Sequence, residues 1–331
     1  MNTRPVARAS SLLAAIAISL VAFTVGAADE AGWPDHHPIR IIVPGGAGGV
    51  TDIRARWLAE RLGSRLGVPV VVENKPGAGG NMGTEFGVRS APDGYTLVVI
   101  HQGTMTFNPH LYARPGYDAL TDLTPITTLG QGPLLLAVNP SVPATSVGEL
   151  VALAKANPGR LTFASPGVGT PPHIAGELFK RAAGIDVAHV PYKGGGQAVS
   201  DLIAGHTTFS IEGLTVQLPQ VKAGRLRALA VTGSQRIDSL PDVPTMEEAG
   251  IAGYRFIGWV GLAVPLGTPP AIVQRLYRQI SAILATPDAR AWFAEAGADT
   301  ATPPPDAFAA SIRAEHAKAG ALIRDAGIRL E

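Results

Sequence analysis

Short apolar runs alternate with stretches in which apolar residues recur every three or four positions. Ile39-Arg40-Ile41-Ile42-Val43 reads as a buried strand, and Thr51–Leu66 follows with Ile53, Trp57, Leu58, Leu62 and Leu66 at helical spacing. Val68–Val72 predicts a second strand, Met82–Arg89 a helix, and Gly94–Ile100 a third strand entered through the turn signal Pro92-Asp93-Gly94. Strands and helices in alternation argue for parallel βαβ units. Pro125–Asn139 predicts a strand crossing into a second lobe. There Val147–Ala156 and Pro172–Ala183 read as helices, and Leu161–Ala164, Val187–Val190, Thr208–Ile211 and Leu226–Val231 as strands. Gly194–Gly205 and Leu218–Gly224 read only as separators. Phe256–Val264 is a further strand, followed by helices near Pro270–Leu284, Asp288–Ala296 and Pro305–Gly327. The pattern predicts two α/β lobes joined by two crossings of the chain, and no repeat of fixed period interrupts it.

The first residues have a different pattern. Met1–Ala27 carries Arg4 and Arg8, an apolar run from Leu12 to Val25, and the small residues Val25-Gly26-Ala27 ahead of Asp29-Glu30. That is the layout of a cleaved secretory signal. The apolar run is about 14 residues, short of the roughly 20 that a transmembrane helix needs. The expectation is a periplasmic protein, where NAD and ATP are poor candidates as cofactors. The chain has 331 residues and no cysteine, which excludes a lipid-modified amino-terminal cysteine. Its size makes disulfide staples unnecessary. Removing Arg4 and Arg8 with the leader takes the formal charge from +1 to −1, a balance with no general attraction for nucleic acid or anionic membrane.

Three glycine-rich loops each join a strand to a helix: Gly45–Gly49, Gly77–Gly83 and Gly167–Thr170. A helix start exposes unpaired N–H groups at the positive end of the dipole, and glycine lets a ligand approach them. Such loops suit anionic oxygens, phosphate or carboxylate alike; the plainer reading is that each merely turns the chain. Gly46-Ala47-Gly48 with Glu73 imitates a dinucleotide fingerprint, but Thr51 stands where the third glycine belongs. No Walker sequence, Gly-x-Ser-x-Gly elbow or His-Glu-x-x-His helix occurs. The histidines scatter, and no metal site is expected. Asp52 heads a helix, where its main role is capping.

With these loops in view, the chain resembles the Bug-type solute receptors of tripartite tricarboxylate transporters over essentially all of its mature length. The likeness is carried by Val43-Pro44 with Ala47–Arg56, by Val72–Gly83, by Pro92–Leu97 and by Asn108–Tyr112. Ala164–Thr170 with His173, His189–Gly194, and Leu240–Thr245 with Glu248-Ala249-Gly250 complete the series. The resemblance implies an α/β, two-lobed type II periplasmic binding protein fold (a Venus flytrap), each lobe a mixed sheet flanked by helices. Residues 1–27 would be the signal peptide, 34–128 with 251–331 the first lobe, and 129–250 the second. It implies a receptor, not an enzyme, that closes on a small organic carboxylate through backbone N–H groups and water. No cofactor is implied, the partners are the membrane subunits of a tripartite transporter, and a monomer is the usual state. Carried across, Gly45, Gly46, Ala47, Gly48, Gly49 and Thr51 form one jaw; His101, Gln102, Gly103 and Thr104 face the cleft; Ser165, Gly167, Gly169, Thr170 and His173 form the opposite jaw. Three positions depart from the family pattern. Gly45 replaces a common aromatic residue, Glu212-Gly213 a common Asp-Asn pair, and Thr208 a common aspartate. Glu212 would repel a second carboxylate nearby or pair with a cationic group. A sensing subunit for a membrane histidine kinase has the same fold and pocket, and an exported enzyme acting on a carboxylate is the third class.

Overall fold

The computed structural model describes residues 32–328; the expected signal segment lies outside the described residues. The elements, in chain order, are β1 (Ile39–Val43), α1 (Val50–Leu66), β2 (Val70–Asn74), α2 (Asn81–Val88), β3 (Thr96–His101), α3 (Asn108–Leu111) and β4 (Leu123–Val138). Next come α4 (Val147–Ala156), β5 (Thr162–Ser165), α5 (Pro171–Ala183), β6 (Ala188–Pro191), α6 (Gly195–Ile203), β7 (Phe209–Gly213), α7 (Leu214–Lys222) and β8 (Arg227–Val231). Last are β9 (Ile257–Pro265), α8 (Pro270–Leu284), α9 (Pro287–Glu295) and α10 (Pro305–Asp325).

Sheet order explains how one chain makes two lobes. Strands run β2-β1-β3-β9-β4 in the first half, with β1 parallel to β2 and β3, and β9 antiparallel to β3 and β4. In the second half β4 lies between β7 and β8, antiparallel to both, and β7-β5-β6 continue in parallel. β4 is therefore shared: Leu123–Pro133 pair with β9, and Leu134–Val138 pair with β7. The β4–β9 register shifts between Thr128 and Gln131, around Gly130, whose φ of 91° is open to glycine at little cost.

Each sheet buries apolar residues on both faces. Ile39, Ile41, Leu97 and Val99 meet Leu58 and Leu62 of α1 and Leu276 and Ile280 of α8. The second core gathers Leu136, Phe163, Phe209 and Ile211 against Ile174 and Phe179 of α5. α10 joins the two, with Phe308 and Ile312 packed on the first sheet and Ala319 and Ile323 in the second core.

Two helices, α6 and α7, stand where the sequence suggested only separators. Gly194-Gly195-Gly196 and Pro219 both weigh against helix locally. Burial overrides them, because Val199 and Leu202 of α6 and Leu214, Val216 and Leu218 of α7 pack against the far face of the second sheet. β2 begins at Val70, two residues later than Val68. Gly67 closes α1 in the left-handed conformation, and the Pro69 carbonyl takes the Ile39 N–H before pairing starts.

Candidate functional site

A cavity of about 360 Å³ lies between the two halves, walled by the loops after β1, β3, β5, β6 and β7. These loops meet across the cleft. The Gly46 N–H donates to the Lys193 carbonyl at 3.0 Å. The Tyr112 hydroxyl donates to the Val168 carbonyl at 3.1 Å. Glycine makes the approach possible. A Cβ on Gly194 would sit 2.7 Å from the Gly46 Cα, and one on Gly79 would fall 2.0 Å from the Val168 carbonyl oxygen. Gly49 and Gly195 also face one another, less tightly, a Cβ on Gly49 falling 3.3 Å from the Gly195 nitrogen. Backbone lies against backbone along this seam.

The first jaw follows β1. Gly45, Gly46, Gly49 and Thr51 line the cavity, whereas Ala47 and Gly48 are exposed on its outer side. Ala47 instead meets α6, since a Cβ on Gly196 would touch its carbonyl oxygen at 2.7 Å. Asp52 fixes the loop from behind. Its carboxylate accepts from the Gly48 N–H at 2.9 Å, from Arg56 at 3.0 Å and from the Asn74 amide at 2.9 Å. The same Asn74 amide donates to the Gly45 carbonyl. Burial by itself would raise the Asp52 pKa. The hydrogen bonds from Arg56, Gly48 and Asn74 overcome that and hold it below the usual carboxylate value.

The end of β3 supplies His101, buried and on the cavity wall. Burial pushes its pKa down to about 4, so the ring is neutral at ordinary pH. Its Nδ1 accepts weakly from the Thr104 N–H at 3.4 Å, and Nε2 points toward Gly80. Gln102 turns away and donates to Glu315 of α10 at 3.3 Å. Gly103 and Thr104 are buried beneath the wall, Gly103 closely opposed to the Gly169 carbonyl across the cleft.

The second jaw follows β5. Gly167 and Thr170 line the cavity, and the Thr170 hydroxyl donates to the Gly167 carbonyl at 2.7 Å. Ser165 and His173 lie behind the loop. The Ser165 hydroxyl accepts from the Gly167 N–H at 3.2 Å and bonds His189 Nε2 at 2.7 Å. His173 Nδ1 accepts from the Gly169 N–H at 3.2 Å, which requires an unprotonated Nδ1. The His173 and His189 rings pack 4.4 Å apart. Burial, reinforced by Lys180, lowers His173 to about 4; burial, His173 and Lys180 lower His189 to about 3.

Several wall residues were not among the expected site residues. Gly77–Gly80, from the loop already read as a candidate anion binder, Tyr112 and Pro191–Gly195 border the seam. Leu134, Leu214, Val260 and Trp259 make a carbon-rich floor. The three consecutive glycines at 194–196, set before an apolar helical stripe, were the available signal for one of these. Arg54 is also on the wall, 6% exposed, with Nη1 donating to the Leu129 and Gly130 carbonyls at 3.1 and 2.9 Å. Burial lowers its pKa to about 10, which leaves it charged. Glu212, at the end of β7, is 3% exposed and lines the cavity; Thr208 does not. Burial pushes the Glu212 carboxyl up to about 7, against a smaller opposing pull from the Gly213 N–H. Among the described residues no group of three or more His, Asp or Glu side chains is placed to hold a metal ion.

Residues 54–328 match the model of the tripartite tricarboxylate transporter family receptor. The protein BugT of Bordetella pertussis is 36% identical over 97% of this chain and 98% of its own length. An R. palustris protein solved with adipate superposes with a TM-score of 0.87 at 34% identity, covering 90% of this chain and 99% of that one. MatC from Rhodopseudomonas palustris with bound malate gives a TM-score of 0.84 at 30% identity, covering 88% of this chain and all of that one (100%).

Proposed function

The chain belongs to the tripartite tricarboxylate transporter receptor family, a family of periplasmic solute receptors, and from that premise we propose that it captures a small organic carboxylate in the cleft and delivers it to transporter subunits in the membrane. The carboxylate rests on N–H groups of the Gly45–Gly49 and Gly167–Thr170 loops other than those of Gly46, Gly48, Gly167, Gly169 and Thr170, which protein acceptors already take; water helps, and Arg54 adds a positive wall. The observation that carries this reading is the glycine-to-glycine seam, which lets helix-entry loops of the two halves meet beside the cavity. A hydrogen bond to a charged group contributes roughly 1.5–3 kcal/mol. Three or four of them offset the cost of closing and leave about −8 kcal/mol, micromolar affinity. Neither jaw alone offers that number of donors, so the ligand favours the closed form and shifts the population toward it.

The lobes hinge where β4 passes between sheets, at Gly130–Pro133, and at the facing start of β9. Residues 34–128 with 251–331 move against 129–250, with α10 riding across the joint. Export by the amino-terminal segment places the receptor in the periplasm.

Calorimetric titration with a panel of small organic acids tests the reading, alongside small-angle scattering to follow compaction. Saturable binding with a fall in the radius of gyration supports it. The absence of binding by any acid overturns it. Reconstituted transporter subunits that take up the same acid without this protein would overturn the delivery role.

A further inference from the structure

Glu212 is a buried carboxylate with half of its hydrogen-bonding capacity unused. Oε1 accepts from the Gly213 N–H at 2.8 Å, and Oε2 has no partner within the protein. The side chain is 3% exposed and on the cavity wall, with Oε2 lying against the start of α6 near Gly195. The side chains of Val50, Leu134 and Leu214 on the same cavity wall offer only carbon. The nearby cations are committed elsewhere or exposed. Arg54 spends its Nη1 on two β4 carbonyls and reaches Thr215 with Nη2, leaving only Nε without a partner, and Lys193 is exposed. A buried acid without a partner is costly to keep. No protein group satisfies Oε2, so a ligand entering the cavity meets an open acceptor there.

Three kinds of group could meet it. A second carboxylate meets it only by sharing a proton, and otherwise repels it. A hydroxyl supplies a donor and leaves the charge in place. An ammonium supplies a donor and neutralises the charge in one contact, the strongest of the three. We propose that the preferred ligand is an amino-substituted carboxylate, its ammonium on Glu212 Oε2 and its carboxylate on the glycine-loop amides. This rests on the receptor reading above and narrows it to a zwitterionic class of ligand. The carbon-rich floor leaves room for an apolar body on that ligand.

The test compares acids matched except for the amine: phenylalanine against phenylpropanoate, glutamate against glutarate, and γ-aminobutyrate against butyrate. Each is titrated into the wild-type chain and into Glu212→Gln, which keeps the shape and removes the charge. In at least one pair the amino member is expected to bind ten-fold or more tighter. Glu212→Gln should erase that preference while retaining affinity for the acid without the amine. If the amine-free acids bind as tightly or more tightly, or if the preference survives in Glu212→Gln, the inference is overturned and the carboxylate reading stands. If no member of any pair binds while another small organic acid does, this inference falls and the carboxylate reading stands; if no acid binds at all, both fall. Circular dichroism checks the fold of the variant; should it fail to fold, the wild-type pairs alone decide.

Discussion

Behind the Gly45–Gly49 loop lies a network of full charges, Asp52 with Arg56 and the Asn74 amide, whereas behind the Gly167–Thr170 loop lie two neutral imidazoles and a serine hydroxyl. Both supports do the same work, holding backbone N–H groups at a helix entrance. They differ in what keeps them in shape. The first needs a carboxylate to stay ionised, and the second needs two rings to stay unprotonated. Acid therefore reaches the jaws at different pH. Asp52 has a folded pKa below its ordinary value of 3.8, so its contribution is complete above that value and is lost only as pH falls through the lower one. His173 titrates from 6.5 unfolded to about 4 folded. The unfolded chain takes up that proton first, so stability drains away as pH falls from about 6.5 toward 4.

Breaking the seam in front of either support gives the largest expected effect. Gly46→Val would push a side chain into the Lys193 carbonyl, and Gly194→Val into Gly46 itself. Either should weaken binding roughly a hundred-fold or more, since a clash of this kind costs about 1–3 kcal/mol per contact and two contacts are hit. The melting temperature should barely change, because the obstruction acts on closure. Unaltered affinity in both variants, by calorimetry, would refute the closed-seam account.

The pH contrast comes next. His173→Asn keeps an acceptor for the Gly169 N–H and removes the titration. Between pH 7 and pH 4 the wild type should lose about 3 kcal/mol more stability than this variant, from the shift to about 4. The comparison has to be a difference between proteins. Glu212, raised to about 7, acts with the opposite sign and lowers stability as pH rises from 4.5 to 7. Parallel pH profiles from urea denaturation would remove the histidines from this role.

Asp52→Asn sharpens the other side. It should cost about 1–2 kcal/mol at neutral pH, through lost charge-assisted bonds to Gly48 and Arg56, and leave the slope between pH 6.5 and 4 intact. A change in that slope would mean that the two supports are coupled. Arg56→Lys should have the smallest effect, under about 1 kcal/mol, because its pair with Asp52 is half open to water.

The βαβ order of the first half was legible because its strands are apolar runs and its helices carry full stripes. α6 and α7 were not, since glycines and Pro219 argue locally against what packing enforces. At the site, the glycine loops pointed to a cleft between them, and Gly45, Gly46, Gly49, Thr51, His101, Gly167, Thr170 and Glu212 border the cavity. Sequence could not tell which face of a loop each residue occupies. Ser165 and His173 turned out to stand behind their loop, and Gln102 reaches α10. Arg54 escaped notice for a physical reason: an arginine on an amphipathic helix is expected in water, as Arg56 largely is, and only the β4 carbonyls at the bulge draw Arg54 inward.

β4 gives its N–H and carbonyl groups to one sheet over its first two-thirds and to the other over its last third. Neither half can melt without unzipping an interior strand from the other. Heat should therefore dismantle the whole chain in one cooperative transition, a single calorimetric peak, despite its division into two parts.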